Sequence, residues 1–232
     1  TDIKVTESSN LDAPKAIENV TATPGANGAL TAALIFTAPT ESLKGETLTE
    51  DVIVTAYRNE EVIGTTTCTP GGTGTIIDNN AINGINEYVL VTSNSAGNGD
   101  KYDIPLYVGI DIPSIVTNVK FTTAEDNMSS VITWEAPTTG MNGGYINTEE
   151  LIYTIYTQEA NSYDITPIGE TTDLSYEVTV EDTKLKEHYY YVSAKNITGE
   201  SYTEGGHVVL GKPYNLPFVE QIEGTTIEHT PW

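Results

Sequence analysis

Apolar and polar residues alternate along this chain with a period of two, which is the period of a β-strand with one buried face. Val52, Val54 and Ala56 fall on one face of a strand while Ile53 and Tyr57 fall on the other. Tyr88, Leu90 and Thr92 repeat the pattern, and so do Leu151, Tyr153 and Ile155. Two further strands share a longer signature: Val131 to Thr138 reads VITWEAPT, and Leu34 to Thr40 reads LIFTAPT. Each sets one inward aromatic, Trp134 or Phe36, just before Ala-Pro-Thr, and the proline ends the strand because it has no N–H to give to a ladder. Pro39 and Pro137 lie 98 residues apart, so the echo marks a repeat.

Taken in order, the first copy begins at Pro14 and predicts seven strands. Ile17, Val20 and Ala22 form the first, and the turn cluster Thr23 to Gly28 leads into Ala32 to Thr37. A polar connection from Glu41 to Glu50 precedes the Val52 strand. Asn59-Glu60-Glu61 turns the chain back into Val62 to Thr65, and the Pro70 to Gly74 loop reads as a second hairpin connection before Thr75 to Asp78. The Tyr88 strand, the Asn94 to Gly97 turn and a last strand through Ile104 to Val108 complete the set. The second copy keeps this order. Pro113 follows Pro14 by 99 residues and Asn196 follows Asn94 by 102, with the drift falling in loops. The predicted organisation is a polar segment at 1–13, modules at 14–111 and 112–211, and a tail at 212–232.

Composition agrees with an all-β chain: 14 Tyr and many Thr, Val and Ile are interleaved with Gly, Pro and Asn. No ten-residue stretch carries apolar residues at helical spacing behind a capping residue. Charge narrows the choice of partners. Ten basic against 33 acidic residues give −23, with −8 in the first module (4 basic, 12 acidic) and −11 in the second (4 basic, 15 acidic). A field of that sign repels phosphates and anionic headgroups, so nucleic acid and membrane surfaces are not expected partners. The same field keeps the chain apart from its own copies, and a monomer is expected. The lone cysteine, Cys68, reads as a small buried apolar residue. There is no run of 18 apolar residues. No signal peptide is visible, and the opening residues up to Leu11-Asp12-Ala13-Pro14 read as the interior of a longer chain.

The second repeat resembles a fibronectin type III module. The residues that carry the resemblance are Pro113 before Val119, Trp134 followed by Glu-Ala-Pro, and Tyr190-Tyr-Val192-Ser-Ala194-Lys-Asn196 with Gly199 three residues on. The first repeat has the same frame with Phe36 in place of the tryptophan and with Tyr88, Leu90, Thr92, Asn94 and Gly97 in the sixth strand. The resemblance covers 14 to 211 and implies two seven-stranded immunoglobulin-like β-sandwiches in tandem. It also implies that Phe36, Tyr88 and Leu90 in one module, and Trp134, Tyr190 and Val192 in the other, are core residues. Two departures stand out. The tyrosine-corner position falls near Asn86 and His188, and neither module has an Arg-Gly-Asp loop. In style the pair resembles modules of bacterial secreted and surface proteins. That implies an extracellular or cell-surface location and a lipid anchor ahead of Thr1. Pro213 to Gly224, with Trp232 at the end, resembles the opening strand of an adhesin or MAM-like jelly roll.

Candidate chemistry is sparse. His188, His207 and His229 have no spacing that brings two to one metal. Glu60-Glu61, Glu125-Asp126, Glu149-Glu150 and Glu181-Asp182 fall at turns and strand ends, where solvated charges belong. Gly71-Gly72-Thr73-Gly74 lacks the lysine and helix of a phosphate cradle. One cation idea survives, that Asp100, Asp103 and Asp111 gather near Gly109 to Ile112. No catalytic, cofactor-binding or metal residue is assigned, no cofactor is expected, and the chain reads as non-catalytic. Tyrosines outnumber the core positions, and Tyr145 and Tyr163 are the candidate platform for a protein or glycan ligand. The expected function is that of a spacer and interaction module presenting a neighbouring domain.

Overall fold

The computed structural model describes residues 10–159, 162–181, 184–213, 218–222 and 225–229, the last two for their backbone. It divides into two units. One is Thr1–Asp111 with Asn142–Ile146, and the other is Ile112–Met141 with Asn147–Trp232.

Among the described residues the first unit has seven strands: β1 (Glu18–Pro24), β2 (Ala32–Thr37), β3 (Val52–Arg58), β4 (Glu61–Cys68), β5 (Thr73–Asp78), β6 (Gly84–Asn94) and β7 (Gly97–Val108). They pair antiparallel as two sheets, β1-β2-β5 and β4-β3-β6-β7. This is the three-on-four strand order of a fibronectin type III sandwich, and the fold class read from the sequence holds. The alternation that predicted the strands also builds the core. Leu34 and Phe36 from one sheet meet Val52, Val54, Ala56, Tyr88 and Leu90 from the other, all buried.

The second unit repeats the plan. β8 (Thr117–Thr123), β9 (Ser129–Glu135) and β12 (Ser175–Thr179) form one sheet. β10 (Ile152–Gln158), β11 (Ile165–Thr171), β13 (Lys186–Asn196), β14 (Gly199–Glu200) and β15 (Glu204–Leu210) form the other, with β14 and β15 both on β13. Trp134, Tyr153, Ile155, Tyr190 and Val192 are buried within it. The last strand is therefore two segments rather than one. The break falls at Ser201, whose N–H donates to the Ala194 carbonyl and whose Oγ accepts from Ala194 N–H at 2.9 Å.

Two devices recur in both units without a signature in the sequence. β1 and β8 each carry a bulge, between Glu18 and Thr21 and between Thr117 and Lys120. At each bulge an asparagine, Asn19 or Asn118, takes a left-handed backbone with φ of 50° or 55°. The glycine loop before β5 corrects a reading. It is a crossover between sheets rather than a hairpin, since β4 pairs with β3 while β5 pairs with β2. Gly71 N–H donates to the Ala38 carbonyl, and Ala38 N–H donates to Gly72. The tail forms its own two-stranded antiparallel sheet, β16 (Phe218–Ile222) with β17 (Thr225–His229). Trp232, the opening residues to Ser9 and Asp182 lie outside the described residues.

Candidate functional site

The buried polar groups of the first unit are used to hold its loops. Asp78, at the end of β5, is 3% exposed and accepts from Arg58 Nη1 at 2.8 and 3.0 Å, from Tyr88 Oη at 2.9 Å and from Asn80 N–H at 2.9 Å. Burial pushes the Tyr88 phenol far above its ordinary range, and the bond to Asp78 and its charge add to the effect. Asn86, at the corner position, is buried. Its Oδ1 accepts from Ile82 N–H at 3.1 Å and its Nδ2 donates to the carbonyls of Ile82 and Gly84. An asparagine thus fixes the entry to β6 by reaching back along the chain, the task a tyrosine hydroxyl performs in an immunoglobulin-type corner.

The three aspartates of the cation idea do not gather. Asp111 is buried and accepts from Asn142 N–H, Asn142 Nδ2 and Gly144 N–H at 2.7 to 3.1 Å, all within the first unit. Asp103 pairs with Lys101, and Asp100 N–H donates to the Pro14 carbonyl. Among the described residues no three His, Cys, Asp or Glu side chains are grouped to hold a metal ion. Cys68 is buried, and burial raises its thiol, helped by the charge of Asp51.

Tyr145 is half-buried. Its carbonyl accepts from Asp111 N–H, and its ring packs over Gly28, where a Cβ would come within 3.1 Å of it. Tyr163, in the β10–β11 connection, is 99% exposed. Neither belongs to the aromatic surface that the fold assembles. That surface is the outer face of the β10–β13–β15 sheet in the second unit. Because Tyr190, Val192 and Ala194 of β13 are buried inward, the period of two turns Tyr189 and Tyr191 outward, and Ser193 lies on the same side but is itself buried. Register then sets Tyr156 directly across from Tyr191, and Tyr189 between Gln158 on one side and His207 on the other. The rings of Tyr189 and His207 lie 5.8 Å apart. Gly205 faces Tyr191, and a Cβ there would strike the Tyr190 carbonyl oxygen at 2.1 Å before the Tyr191 ring at 2.8 Å, so glycine lets β13 approach closely here.

Hydrogen bonds hold each phenol in place. Tyr191 Oη donates to Gln158 Oε1 at 2.7 Å, Tyr189 Oη to Glu187 Oε2 at 2.7 Å and Tyr156 Oη to Glu200 Oε1 at 2.5 Å. Ser193 Oγ also donates to Glu200, and Gln158 Nε2 donates to the Ser162 carbonyl. Burial tends to raise the Glu200 carboxyl, but the bonds from Ser193 and Tyr156 and the charge of Lys195 bring it below its usual value. Burial, with the bond to Glu200, holds the Tyr156 phenol high. His188, which points the other way and stacks on Tyr190, is lowered by burial and by the charge of Lys186.

No protein-family model matches this chain, and no curated protein matches it. Solved structures do. The FN1–FN3 domains of chicken CNTN1 are 13% identical over 86% of this chain and 68% of that one, with a TM-score of 0.40. A titin domain fragment is 16% identical over 86% and 62%, at 0.38. Domains d3–d4 of the rat CD45 extracellular region are 17% identical over 47% and 55%, at 0.36. The chain spans less than two thirds of the titin and CD45 structures. The fold assignment rests on strand order and register, to which these scores add no weight.

Proposed function

We propose that this chain is a non-catalytic spacer and interaction module of a bacterial extracellular or cell-surface protein, carrying a neighbouring domain away from an anchored end. The observation that supports this reading is the use of the buried polar groups. Asp78, Arg58, Tyr88, Asn86 and Asp111 all bind groups of the first unit itself, so that sandwich closes on itself around its own core. A domain stabilised in this way is suited to bearing a neighbour. Among the described residues no helix is long and apolar enough to cross a membrane.

Single-molecule extension tests the spacer. Two unfolding steps are expected, each lengthening the chain by roughly 30 nm, as follows from about 3.3–3.6 Å per residue over one sandwich. A single step at low force would overturn it. A hydrolase and transferase substrate panel gives no turnover on this reading, and turnover that co-purifies with the chain would sink it. The tyrosine face of the second unit favours a compatible second reading, a protein- or glycan-binding module, which an array of both ligand types tests.

A further inference from the structure

We propose that the outer face of β10, β13 and β15 is a docking surface for an extended protein segment carrying arginine or lysine at alternate positions. The proposal rests on the interaction part of the function given above and names the partner's chemistry. Its first support is what the face has left to offer. The hydroxyl protons of Tyr156, Tyr189 and Tyr191 are already given to Glu200, Glu187 and Gln158, and one of the two Gln158 amide protons is given to Ser162. Beside the second Gln158 amide proton and the His207 imidazole, most of what remains is the spare lone pairs of two carboxylates and the negative faces of half-buried rings. Both call for a donor that carries positive charge, and Lys and Arg are donors without acceptor capacity. Lys195 is bonded to Glu170 and its charge also reaches Glu200, so the partner's cations are directed to Glu187 and to the rings of Tyr189 and Tyr191.

Spacing is the second support. Tyr189 and Tyr191 are two residues apart on β13, about 6.8 Å along the strand, and each lies in its own cross-strand row, with His207 and with Tyr156. An extended partner repeats its side chains at the same interval, so alternate cations meet successive rows. The third support is charge complementarity at long range. A net charge of −23 attracts a basic segment and raises its encounter rate. The phenols are already fixed by hydrogen bonds, so docking costs little further side-chain order.

The test uses the whole 232-residue chain and two peptides of identical composition, acetylated (Arg-Ala)4 amide and its blocked isomer Arg4Ala4. The expected result is that the alternating peptide shifts the backbone amide resonances of β10, β13 and β15 and binds at least fivefold tighter than the blocked one. Tyr189→Leu with Tyr191→Leu should weaken it tenfold or more without moving the melting temperature by more than a few degrees. The resonance map of the unaltered protein decides the matter if that variant fails to fold. Equal binding of the two peptides, with shifts scattered over the acidic surface, would mean diffuse charge attraction and overturn the proposal. So would a neutral oligosaccharide that perturbs these strands when the peptides do not. Either failure leaves the two-step extension intact, so the spacer reading is judged separately.

Discussion

Trp134 is 4% exposed, and its ring meets Tyr153 edge-on with centroids 5.3 Å apart. Trp134→Ala should therefore cost about 3–5 kcal/mol in a denaturation titration, the range for removing a large aromatic from a packed core. Trp134→Phe is expected to cost well under half of that. Trp134 Nε1 is buried with no acceptor among the described residues, and phenylalanine would remove that unsatisfied donor while keeping most of the ring. Tyr88 makes a prediction in pH. Its folded-state phenol holds its proton more tightly than the unfolded one, so its contribution is complete below the unfolded value near pH 10 and is lost as the pH climbs above it. Urea midpoints should fall steeply between pH 9.5 and 11, and Tyr88→Phe should flatten that fall. Tyr88 was readable as an inward residue from its alternation with Leu90. Its tie to Asp78 and Arg58 was not, because those residues come from β5 and β3 and meet only when the two sheets pack.

Strands were legible because each alternates on its own, whereas connections were legible only where local turn chemistry decides the path. The β3–β4 hairpin is of the second kind. Asn59 and Glu60 both have positive φ, 48° and 72°, as a two-residue turn with the twist of its strands requires. Asn59 also accepts from Glu87 N–H at 3.0 Å through Oδ1, so it has a reason to be there. Glu60 has a Cβ in a left-handed conformation, and Glu60→Gly should raise stability by about 1 kcal/mol, read as a higher melting temperature. The Pro70 to Gly74 loop shows the limit. Proline and glycine mark a turn whether the chain returns in the same sheet or crosses to the other, and here it crosses. Gly74 is needed because a Cβ would lie 2.4 Å from the ring of Phe36, its cross-strand partner, and 2.8 Å from Cys68 Sγ in the other sheet, contacts that no local pattern announces.

At the scale of the whole molecule the net charge of −23 acts on everything at once. Self-repulsion opposes compaction, and raising ionic strength from 0.01 M to 0.15 M shortens the screening length from about 30 Å to about 8 Å. The melting temperature should rise by a few degrees over that range, and a fall would mean that attractive pairs such as Lys44 with Asp12 outweigh the repulsion. The sequence by itself determined the strand period, the two-module repeat and the sandwich class. Those follow from the alternation of side chains and from proline and glycine chemistry, which act over a few residues. It also supplied the tyrosines, yet it favoured Tyr145 and Tyr163. Only tertiary structure decided that Tyr145 packs on Gly28 and that Tyr156, Tyr189, Tyr191 and His207 share one face. Whether aromatics far apart in sequence become neighbours depends on strand register, and register is fixed by the packed core rather than by any single strand.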